Sequence, residues 1–213
     1  APVSTADEVD AAMRAAQEAF KTWKHTTPAD RQLMLLKLAD ALEKNADALV
    51  EAQHRNTGQP REMIRDEEVL AGANQVRFFA GAARTLEGKA AAEYMEGHTS
   101  YVRREPVGVV AQVTPWNYPL MMALWKIGPA LAAGNTVVLK PSDTTPESTL
   151  ELAKLIADIF PAGVFNVVLG TGATGAAMVN HPAPAMVSIT GSVRAGRAVA
   201  TGAAAGLKRS HLE

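Results

Sequence analysis

The chain of 213 residues contains no cysteine, so within these residues there is no disulfide, no thiolate zinc site and no cysteine nucleophile. No uninterrupted apolar run approaches the roughly 20 residues that a membrane-spanning helix needs. The first ten residues lack the basic and apolar regions of a signal peptide. We therefore expect a cytoplasmic protein without a membrane partner.

An excess of either charge is also missing, because 21 lysines and arginines are balanced by 22 aspartates and glutamates. A formal net charge of -1 creates no overall field to attract nucleic acid, so we expect no nucleic-acid partner. Hydrophobic residues make up 47% of the chain. This composition is typical of one or two folded domains with a buried core.

The first part of the chain has helical periodicity. Thr5 and Glu8 form a capping-box pattern at the start of the first predicted helix. Thr27 as the N-cap and Pro28 at the first helical position predict the start of the second. The three predicted helices cover residues 5–23, 27–58 and 60–86. They form a helical layer that precedes the rest of the fold.

The periodicity changes near residue 100, where 101–104 alternates like an exposed strand. Short apolar strands and helices then alternate to the end of the sequence. The predicted strands cover 108–113, 136–140, 165–169, 186–190 and 207–213, and the predicted helices cover 119–133, 146–160, 172–180 and 192–205. This alternation predicts parallel pairing through right-handed crossovers, and hence a doubly wound α/β sheet.

Ligands of such sheets bind beyond the carboxyl ends of the strands. After the strand at 165–169, the glycines Gly170, Gly172 and Gly175 have the spacing of a dinucleotide-binding turn. The acidic residue expected about 20 positions later is missing at 188–191. Ordinary glycine-rich turns therefore remain an equal alternative.

Two other strand ends have groups suited to a nucleotide. Lys140 and Asp143 place a cation beside a carboxylate, which can accept hydrogen bonds from both hydroxyls of a ribose. Gly191 and Ser192 can present backbone N–H groups to a pyrophosphate at a helix N-terminus. The alternatives are a solvated turn at Asp143 and a simple N-cap at Ser192.

The end of the first sheet strand, 114–119, contains two prolines that restrict its backbone. A rigid loop suits a preorganised hydrogen-bond donor, and the side-chain amide of Asn117 can donate to a developing oxyanion. The common alternative for an asparagine in a loop is a turn-forming role.

Four motifs follow one another in a specific order: PWNYP at 115–119, WKIGPALAAGNTVVLKPSD at 125–143, TGS at 190–192 and HLE at 211–213. In this order and spacing the chain resembles the NAD(P)-dependent aldehyde dehydrogenases. The stretches at 77–84, 96–100 and 117–126 are most similar to the gamma-aminobutyraldehyde and betaine-aldehyde branch. The resemblance implies that 101–213 is a Rossmann-like NAD-binding portion, that 1–100 is the helical part of the same domain, and that the catalytic domain is absent.

The resemblance also implies roles for individual residues, with NAD as the cofactor and no metal. Asn117 corresponds to the oxyanion donor, Lys126 to a lysine that assists the charge relay, and Glu213 to the general base. The implied NAD-binding residues are Pro115, Trp116, Asn117, Lys140, Pro141, Ser142, Asp143, Gly170, Gly191, Ser192 and Val193. Asp143 stands where NAD-using relatives usually have glutamate, and its carboxylate should still repel the 2′-phosphate of NADP.

The implied reaction oxidises an aldehyde, with 4-aminobutanal as the expected substrate, to the carboxylic acid. A cysteine thiolate attacks the aldehyde, hydride passes to NAD, and water activated by the glutamate hydrolyses the resulting thioester. Tyr118, Met122 and Trp125 follow one another at helical spacing, and Tyr118 and Trp125 can hold an ammonium group over their rings. Packing in the core is the stronger alternative for these side chains.

The sequence also contains an acidic cluster of Asp66, Glu67 and Glu68 that can attract a cationic substrate. A solvated helix face is the favoured interpretation of this cluster.

The missing cysteine leaves two main hypotheses. In the first, the residues belong to a longer homo-oligomeric enzyme, a tetramer or a dimer, and the chain is truncated at both ends. In the second, the chain is an NAD-binding module without dehydrogenase turnover. A third alternative, an unrelated Rossmann reductase that uses 170–175, ranks last because the expected acidic residue and a Tyr-x-x-x-Lys pair are missing.

Overall fold

The computed structural model describes residues 2–213, apart from the side chain of Ala90. Within this range none of the helices has the length and apolar character needed to cross a bilayer. The helices are α1 (Ala6–Trp23), α2 (Pro28–Lys44), α3 (Ala46–Thr57), α4 (Arg61–Met63), the π-helical segment Ile64–Leu70, α5 (Ala71–Ala82), α6 (Pro119–Ala132), α7 (Glu147–Ala157), α8 (Gly172–Asn180) and α9 (Val193–Ala205). The strands are β1 (Lys89–Met95), β2 (His98–Val102), β3 (Val109–Val113), β4 (Thr136–Lys140), β5 (Phe165–Val167), β6 (Pro184–Ile189) and β7 (Arg209–Leu212).

The helical layer begins as predicted, with a reciprocal capping box in which Thr5 and Glu8 bond to each other's backbone N–H groups. The prediction of a single helix over 27–58 is wrong, because α2 ends at Lys44, Asn45 interrupts the helix, and α3 begins at Ala46. Asn45 leaves the helical region at φ -107° and ψ 21°, and its side-chain amide donates to the Ala41 carbonyl. Such a local side-chain bond competes with the helical ladder.

The predicted helix over 60–86 is a nearly continuous helical path from Arg61 to Ala82, with the π-helical segment inside it. In this segment the Ala71 N–H bonds to the Asp66 carbonyl, five residues earlier, so the turn is wider than an α-helical turn. The path ends before Leu86 because Arg84 and Thr85 close tighter bonds to carbonyls three residues back.

Strands β1 and β2 form an antiparallel hairpin separate from the main sheet. The turn contains Gly97 at φ 71°, in the left-handed region that favours glycine. The strand predicted at 101–104 overlaps β2, whereas β1 was not predicted. Its Lys-Ala-Ala-Ala beginning has a low β propensity, which explains the omission.

The other five strands form one parallel sheet in the order β5-β4-β3-β6-β7. This confirms the predicted doubly wound α/β fold. From β3 the chain continues outward through β4 and β5, and then returns to the other side of β3 through β6 and β7. The switch point, where ligands of such sheets bind, therefore lies between β3 and β6. From β3 to β7 the limits of the elements differ from the predicted limits by at most three residues.

Apolar clusters cover both faces of the sheet. On β4, Val137 and Leu139 pack in a cluster with residues of α2, α5, α6 and α7, whereas Val138 packs with residues of α1, α8 and α9. This alternation is the period of two expected of a strand covered on both sides. The helices before residue 83 therefore share a core with the sheet. The division into 1–100 and 101–213 stays a prediction.

Candidate active site

The loops after β3, β4, β5 and β6 meet at the carboxyl edge of the sheet. The parallel register aligns Val113 of β3 with Lys140 of β4 and Ile189 of β6, so these three loops begin at one level. Backbone bonds from Thr114 to Lys140 and from Thr190 to Val113 continue the pairing beyond the strand ends. The fold thus brings together the predicted site residues of three separate motifs, at 115–118, 140–143 and 191–193.

Lys140 is buried at the end of β4, and its ammonium connects two of these loops. Its Nζ donates to the carbonyls of Pro141, at 2.8 Å, and Gly170, at 2.7 Å. Burial lowers the pKa of Lys140, and the nearby carboxylate of Asp143 opposes this effect. An ammonium has three protons, so one remains for a ligand such as a sugar hydroxyl.

Residues 141–143 line the mouth of the sheet beside this lysine. Pro141 is buried, Ser142 is half-buried and hydrogen-bonds with Thr144, and Asp143 is exposed. A solvated turn is therefore present at Asp143. Its exposed carboxylate, close to a lysine with a free proton, also fits the hydroxyls of a ribose.

The N-terminus of α9 is exposed at the same edge. Ser192 is its N-cap, and the Ser192 Oγ accepts a hydrogen bond from the Ala195 N–H at 3.2 Å. Val193 is exposed in the first turn, and a Cβ added at Gly191 would meet only Ile189, at 3.8 Å. The N-cap role of Ser192 and an open, positively polarised helix end therefore occur together, which suits an anionic group.

Internal packing explains Gly170, the first glycine of the turn after β5. Gly170 has φ 148°, and a Cβ there would overlap the hydroxyl of Thr174. Gly175 lies beside Lys140, whose Cε would be 3.5 Å from a Cβ added at Gly175. The alternative of an ordinary glycine turn is thus sufficient for Gly170, whereas an added Cβ at Gly175 would make only ordinary van der Waals contact. A contact between Gly170 and a cofactor stays a prediction.

The loop after β3 exposes Trp116 and Asn117. Trp116 is 66% exposed, and a cavity of about 440 Å³ opens between Trp116, Asn117 and Thr144. The Asn117 carbonyl accepts a hydrogen bond from Gln59 Nε2 at 2.9 Å, so the backbone of Asn117 is held while its side chain remains exposed. The half-buried Pro115 precedes them, and the buried Pro119 begins α6.

Lys126 and Glu213 line a second cavity, of about 570 Å³. Lys126 Nζ donates to Ser188 Oγ, at 2.9 Å, and to Glu213 Oε2, at 3.4 Å. Thr190 Oγ1 donates to the same Glu213 oxygen at 2.6 Å. Burial lowers the pKa of Lys126, whereas the bond from Thr190, helped by Lys126, lowers the pKa of Glu213. Glu213 is therefore ionised at neutral pH and able to accept a proton.

Tyr118, Met122 and Trp125 form a stripe near the start of α6, since residues four and seven positions apart share a helix face. Trp125 is 45% exposed and lines the larger cavity, so it is not packed in the core of the described chain. Tyr118 Oη donates to Glu67 Oε2 at 3.2 Å, and the charge of Glu67 raises the pKa of Tyr118.

The prediction that the acidic cluster lies on a solvated helix face is wrong for one of its residues. Asp66 and Glu67 are exposed, but Glu68 is only 1% exposed. The wide π-helical turn directs Glu68 inward, where its Oε2 accepts hydrogen bonds from the N–H groups of Leu120 and Met121, both at 3.1 Å. Burial raises the pKa of Glu68 in spite of these bonds.

Sequence reasoning missed three polar residues that contact the predicted site: Gln59, Ser188 and Thr190. Ser188 and Thr190 are two positions apart on β6 and its extension, and so face the same side as Lys126; this spacing is a signal that could have identified them. Gln59 has no such signal, because it lies in the turn after α3, 58 residues before Asn117.

The sequence model described as the Aldehyde dehydrogenase family matches residues 1–213, the whole chain. The chain belongs to the aldehyde dehydrogenase family. Similar aldehyde dehydrogenases include the long-chain-aldehyde dehydrogenase of Acinetobacter sp, which is 40% identical over 199 residues, 93% of this chain and 39% of that protein.

Two solved aldehyde dehydrogenases have the same fold in complex with NAD+. The enzyme from Bacillus cereus is 38% identical with a TM-score of 0.95, and the alignment covers 99% of this chain and 44% of that chain. The betaine aldehyde dehydrogenase from Staphylococcus aureus is 34% identical with a TM-score of 0.94, covering 99% and 42%. This chain thus spans about two fifths of the length of these aldehyde dehydrogenases.

Proposed function

We propose that these residues form the NAD-binding part of a longer enzyme that oxidises an aldehyde to a carboxylic acid, with the nucleophilic cysteine outside the 213 residues. Residues 1–100 and 101–213 both belong to this part. The observation that supports the proposal most is the convergence of Asn117, Lys140 and Gly191 at the switch point of one parallel sheet. Membership of the aldehyde dehydrogenase family supports the same reaction class.

The cofactor that fits this edge is NAD. Lys140 and Asp143 would hold a ribose, and the open helix end at Gly191, Ser192 and Val193 would hold the pyrophosphate. The remaining walls of the NAD site would be Pro115, Trp116, Asn117, Pro141, Ser142 and Gly170. When bound, NAD supplies the hydride acceptor. The carboxylate of Asp143 favours NAD over NADP because it repels a 2′-phosphate.

Two side chains of this chain act on the reacting groups. The exposed amide of Asn117 donates to the oxyanion that forms when the aldehyde carbon is attacked. The Glu213 carboxylate, whose ionised form is stabilised by the bond from Thr190, accepts a proton from the hydrolytic water. The Lys126 ammonium, 3.4 Å away, holds this carboxylate in place.

The substrate class we propose is an aminoaldehyde, with 4-aminobutanal as the expected member. The partly exposed stripe of Tyr118, Met122 and Trp125 offers aromatic faces to an ammonium group. Glu67 adds a carboxylate at the Tyr118 end of the stripe. The similarity to a betaine aldehyde dehydrogenase, whose name denotes a cationic aldehyde, supports this class.

The substrate proposal is tested by comparing Trp125→Ala with the unchanged enzyme on 4-aminobutanal and on butanal, which lacks the amine. We expect KM to rise for 4-aminobutanal and to change much less for butanal. Equal losses for both aldehydes contradict the cation site. Leu33→Ala, which removes another exposed apolar side chain, is the control.

A module that binds NAD without turnover is the second candidate, and the absence of cysteine from the 213 residues favours it. The two candidates differ in one assay. NAD binding by titration together with aldehyde-dependent NADH formation supports the enzyme, whereas binding without NADH formation in the intact natural polypeptide supports the module.

We also propose that the enzyme is a cytoplasmic homo-oligomer, a tetramer or a dimer. The β1–β2 hairpin supports the oligomer, because it lies outside the main sheet and exposes large apolar side chains. These are Tyr94, Met95, Tyr101 and Val102. Light scattering of the purified enzyme measures the oligomeric state, and a Tyr101→Glu variant should shift it toward the monomer.

A further inference from the structure

Three buried or half-buried side chains lie behind the Asn117 loop, and none of them belongs to the family-like motifs. Gln53 comes from α3, Gln59 from the turn after it, and Glu68 from the π-helical segment. Gln53 and Glu68 are almost completely buried, and Gln59 is half-buried. We call these three residues the Gln53–Gln59–Glu68 cluster.

Hydrogen bonds connect the cluster internally. Gln53 Nε2 donates to Gln59 Oε1 at 2.8 Å and also to Glu68 Oε1. The bond from Thr57 Oγ1 to Gln59 Oε1, at 3.2 Å, further restrains the Gln59 side chain. Each amide therefore has its orientation fixed by its neighbours.

The cluster holds both ends of the segment 117–121. At one end Gln59 Nε2 donates to the Asn117 carbonyl at 2.9 Å. At the other end Glu68 Oε2 accepts from the N–H groups of Leu120 and Met121, and Gln53 Oε1 accepts a further bond from Leu120. These are among the N–H groups at a helix start that have no partner inside the helix.

Glu68 therefore acts as a distant N-cap of α6. The local N-cap residue, Tyr118, makes no side-chain capping bond. The Glu68 carboxylate therefore supplies the hydrogen-bond acceptor that the Tyr118 side chain does not. A carboxylate at this position also interacts favourably with the helix dipole. Burial of a charge is costly unless it is bonded, and within the described chain Glu68 accepts bonds from two backbone N–H groups and one side-chain amide.

We infer that the Gln53–Gln59–Glu68 cluster sets the position of Asn117, and that Glu68 is the positioning residue on which the cluster depends. This inference rests on the proposed role of Asn117 as oxyanion donor. A donor must stay within about 0.5 Å of the position from which it bonds the developing oxyanion, and the bonds on either side of Asn117 limit its movement.

The test is Glu68→Gln, which keeps the size of the side chain but places an amide group among three N–H donors. Asp66→Asn is the matched control, because it removes a carboxylate from the same segment at an exposed position. Two measurements are made on each variant: hydrogen exchange of the amides in 117–121, and kcat and KM with an aldehyde in the enzyme that contains this chain.

We expect faster exchange in 117–121 for Glu68→Gln, with the Asp66→Asn variant unchanged. We expect kcat to fall by about tenfold to a hundredfold with little change in the KM for NAD, because a small misplacement of a donor affects the transition state most. Glu68→Asp, which retains the carboxylate, should recover part of kcat. Unchanged exchange in 117–121 overturns the inference.

A double variant separates positioning from general destabilisation. If Glu68 acts through Asn117, Glu68→Gln should lower kcat much less in an Asn117→Ala background than in the unchanged enzyme. Fully additive losses contradict the inference. If Glu68→Gln does not fold, Gln59→Ala removes the bond to the Asn117 carbonyl, together with the bonds that Gln59 accepts from Gln53 and Thr57, and leaves the bonds from Glu68 to α6 in place. This variant is expected to lower kcat in the same manner.

The exchange measurement also distinguishes this inference from the proposed function. If the unchanged enzyme oxidises no aldehyde, the proposed function fails. Faster exchange in 117–121 for Glu68→Gln then still shows that Glu68 holds this loop, and unchanged exchange shows that it does not.

Discussion

Lys126 of α6 and Glu213 after β7 line the same cavity, and 3.4 Å separates the Lys126 Nζ from the Glu213 Oε2. The residues Ser188 and Thr190, at the end of β6, each hold one member of this pair. Residues at the end of one strand thus hold both members of the pair. The pKa of each member is therefore sensitive to the hydroxyl group that bonds to it.

The first prediction concerns the pKa of Glu213. Thr190→Val removes the hydroxyl whose bond lowers this pKa most, so the pKa should rise toward its ordinary value. Because the folded pKa lies below the unfolded one, ionised Glu213 stabilises the fold above the unfolded pKa, and this contribution is lost as the pH falls through the folded pKa. In the variant this contribution should be smaller, and its loss should be complete at a higher pH.

Carbon-13 NMR titration of the Glu213 carboxyl measures this change. Thr201→Val, at an exposed position of α9, is the control. An unchanged pKa in Thr190→Val would show that the hydroxyl does not stabilise the carboxylate.

The second prediction concerns Asn117. Asn117→Ala should lower the turnover of the enzyme by about a hundredfold or more, the usual effect of removing an oxyanion donor. The melting temperature should change little, because the Asn117 side chain is exposed. Steady-state kinetics and thermal unfolding measure the two effects, with Asn74→Ala, another exposed asparagine, as the control. Normal turnover would exclude the oxyanion role.

The third prediction concerns cofactor choice. Asp143→Lys should weaken the binding of NAD and strengthen that of NADP, because a cation replaces the carboxylate that we propose to face the ribose. Fluorescence titration with both dinucleotides measures the preference. Asp158→Lys changes the net charge equally at another exposed position and should leave the preference unaltered. The ribose assignment is wrong if Asp143→Lys has the same preference as this control.

The fourth prediction concerns stability. Asn135 is buried, and its side chain accepts bonds from the N–H groups of Val107 and Gly108 and donates to the Ala130 carbonyl. Asn135→Ala leaves the N–H groups of Val107 and Gly108 without this partner, whereas the Ala130 carbonyl keeps its bond from the Asn135 backbone N–H. The free energy of unfolding should therefore fall by about 3 kcal/mol. Denaturant unfolding measures the loss. Asn180→Ala, at an exposed position, should cost much less.

The alternating part of the fold was predictable because each strand and helix there has a clear apolar period. Thr136–Lys140 was predicted at its observed limits, since five buried residues between a glycine turn and a proline leave little choice. The break at Asn45 was not predictable, because the apolar stripe continues across it and the break depends on a side-chain bond to Ala41.

The candidate site likewise contains residues whose position was predictable and residues whose position was not. Lys140 ends a strand, and Asn117 and Ser192 lie in the loops that follow strands, where the topology predicts that side chains converge. Gln59 and Glu68 reach the site from the helical layer, and their position depends on how α3 and the π-helical segment pack on α6. Long-range packing of this kind leaves no periodic signal in the sequence.

The π-helical segment fixes the rotational phase of Glu68 relative to the helices on either side. A regular α-helix advances by about 100° per residue, so deleting one residue between 64 and 67 would restore a tighter winding and turn the carboxylate away from α6 by roughly that angle. The hydrogen-bonded support of Asn117 therefore depends on a count of residues as well as on their identity. A shortened segment with all three cluster residues intact would still lose this support.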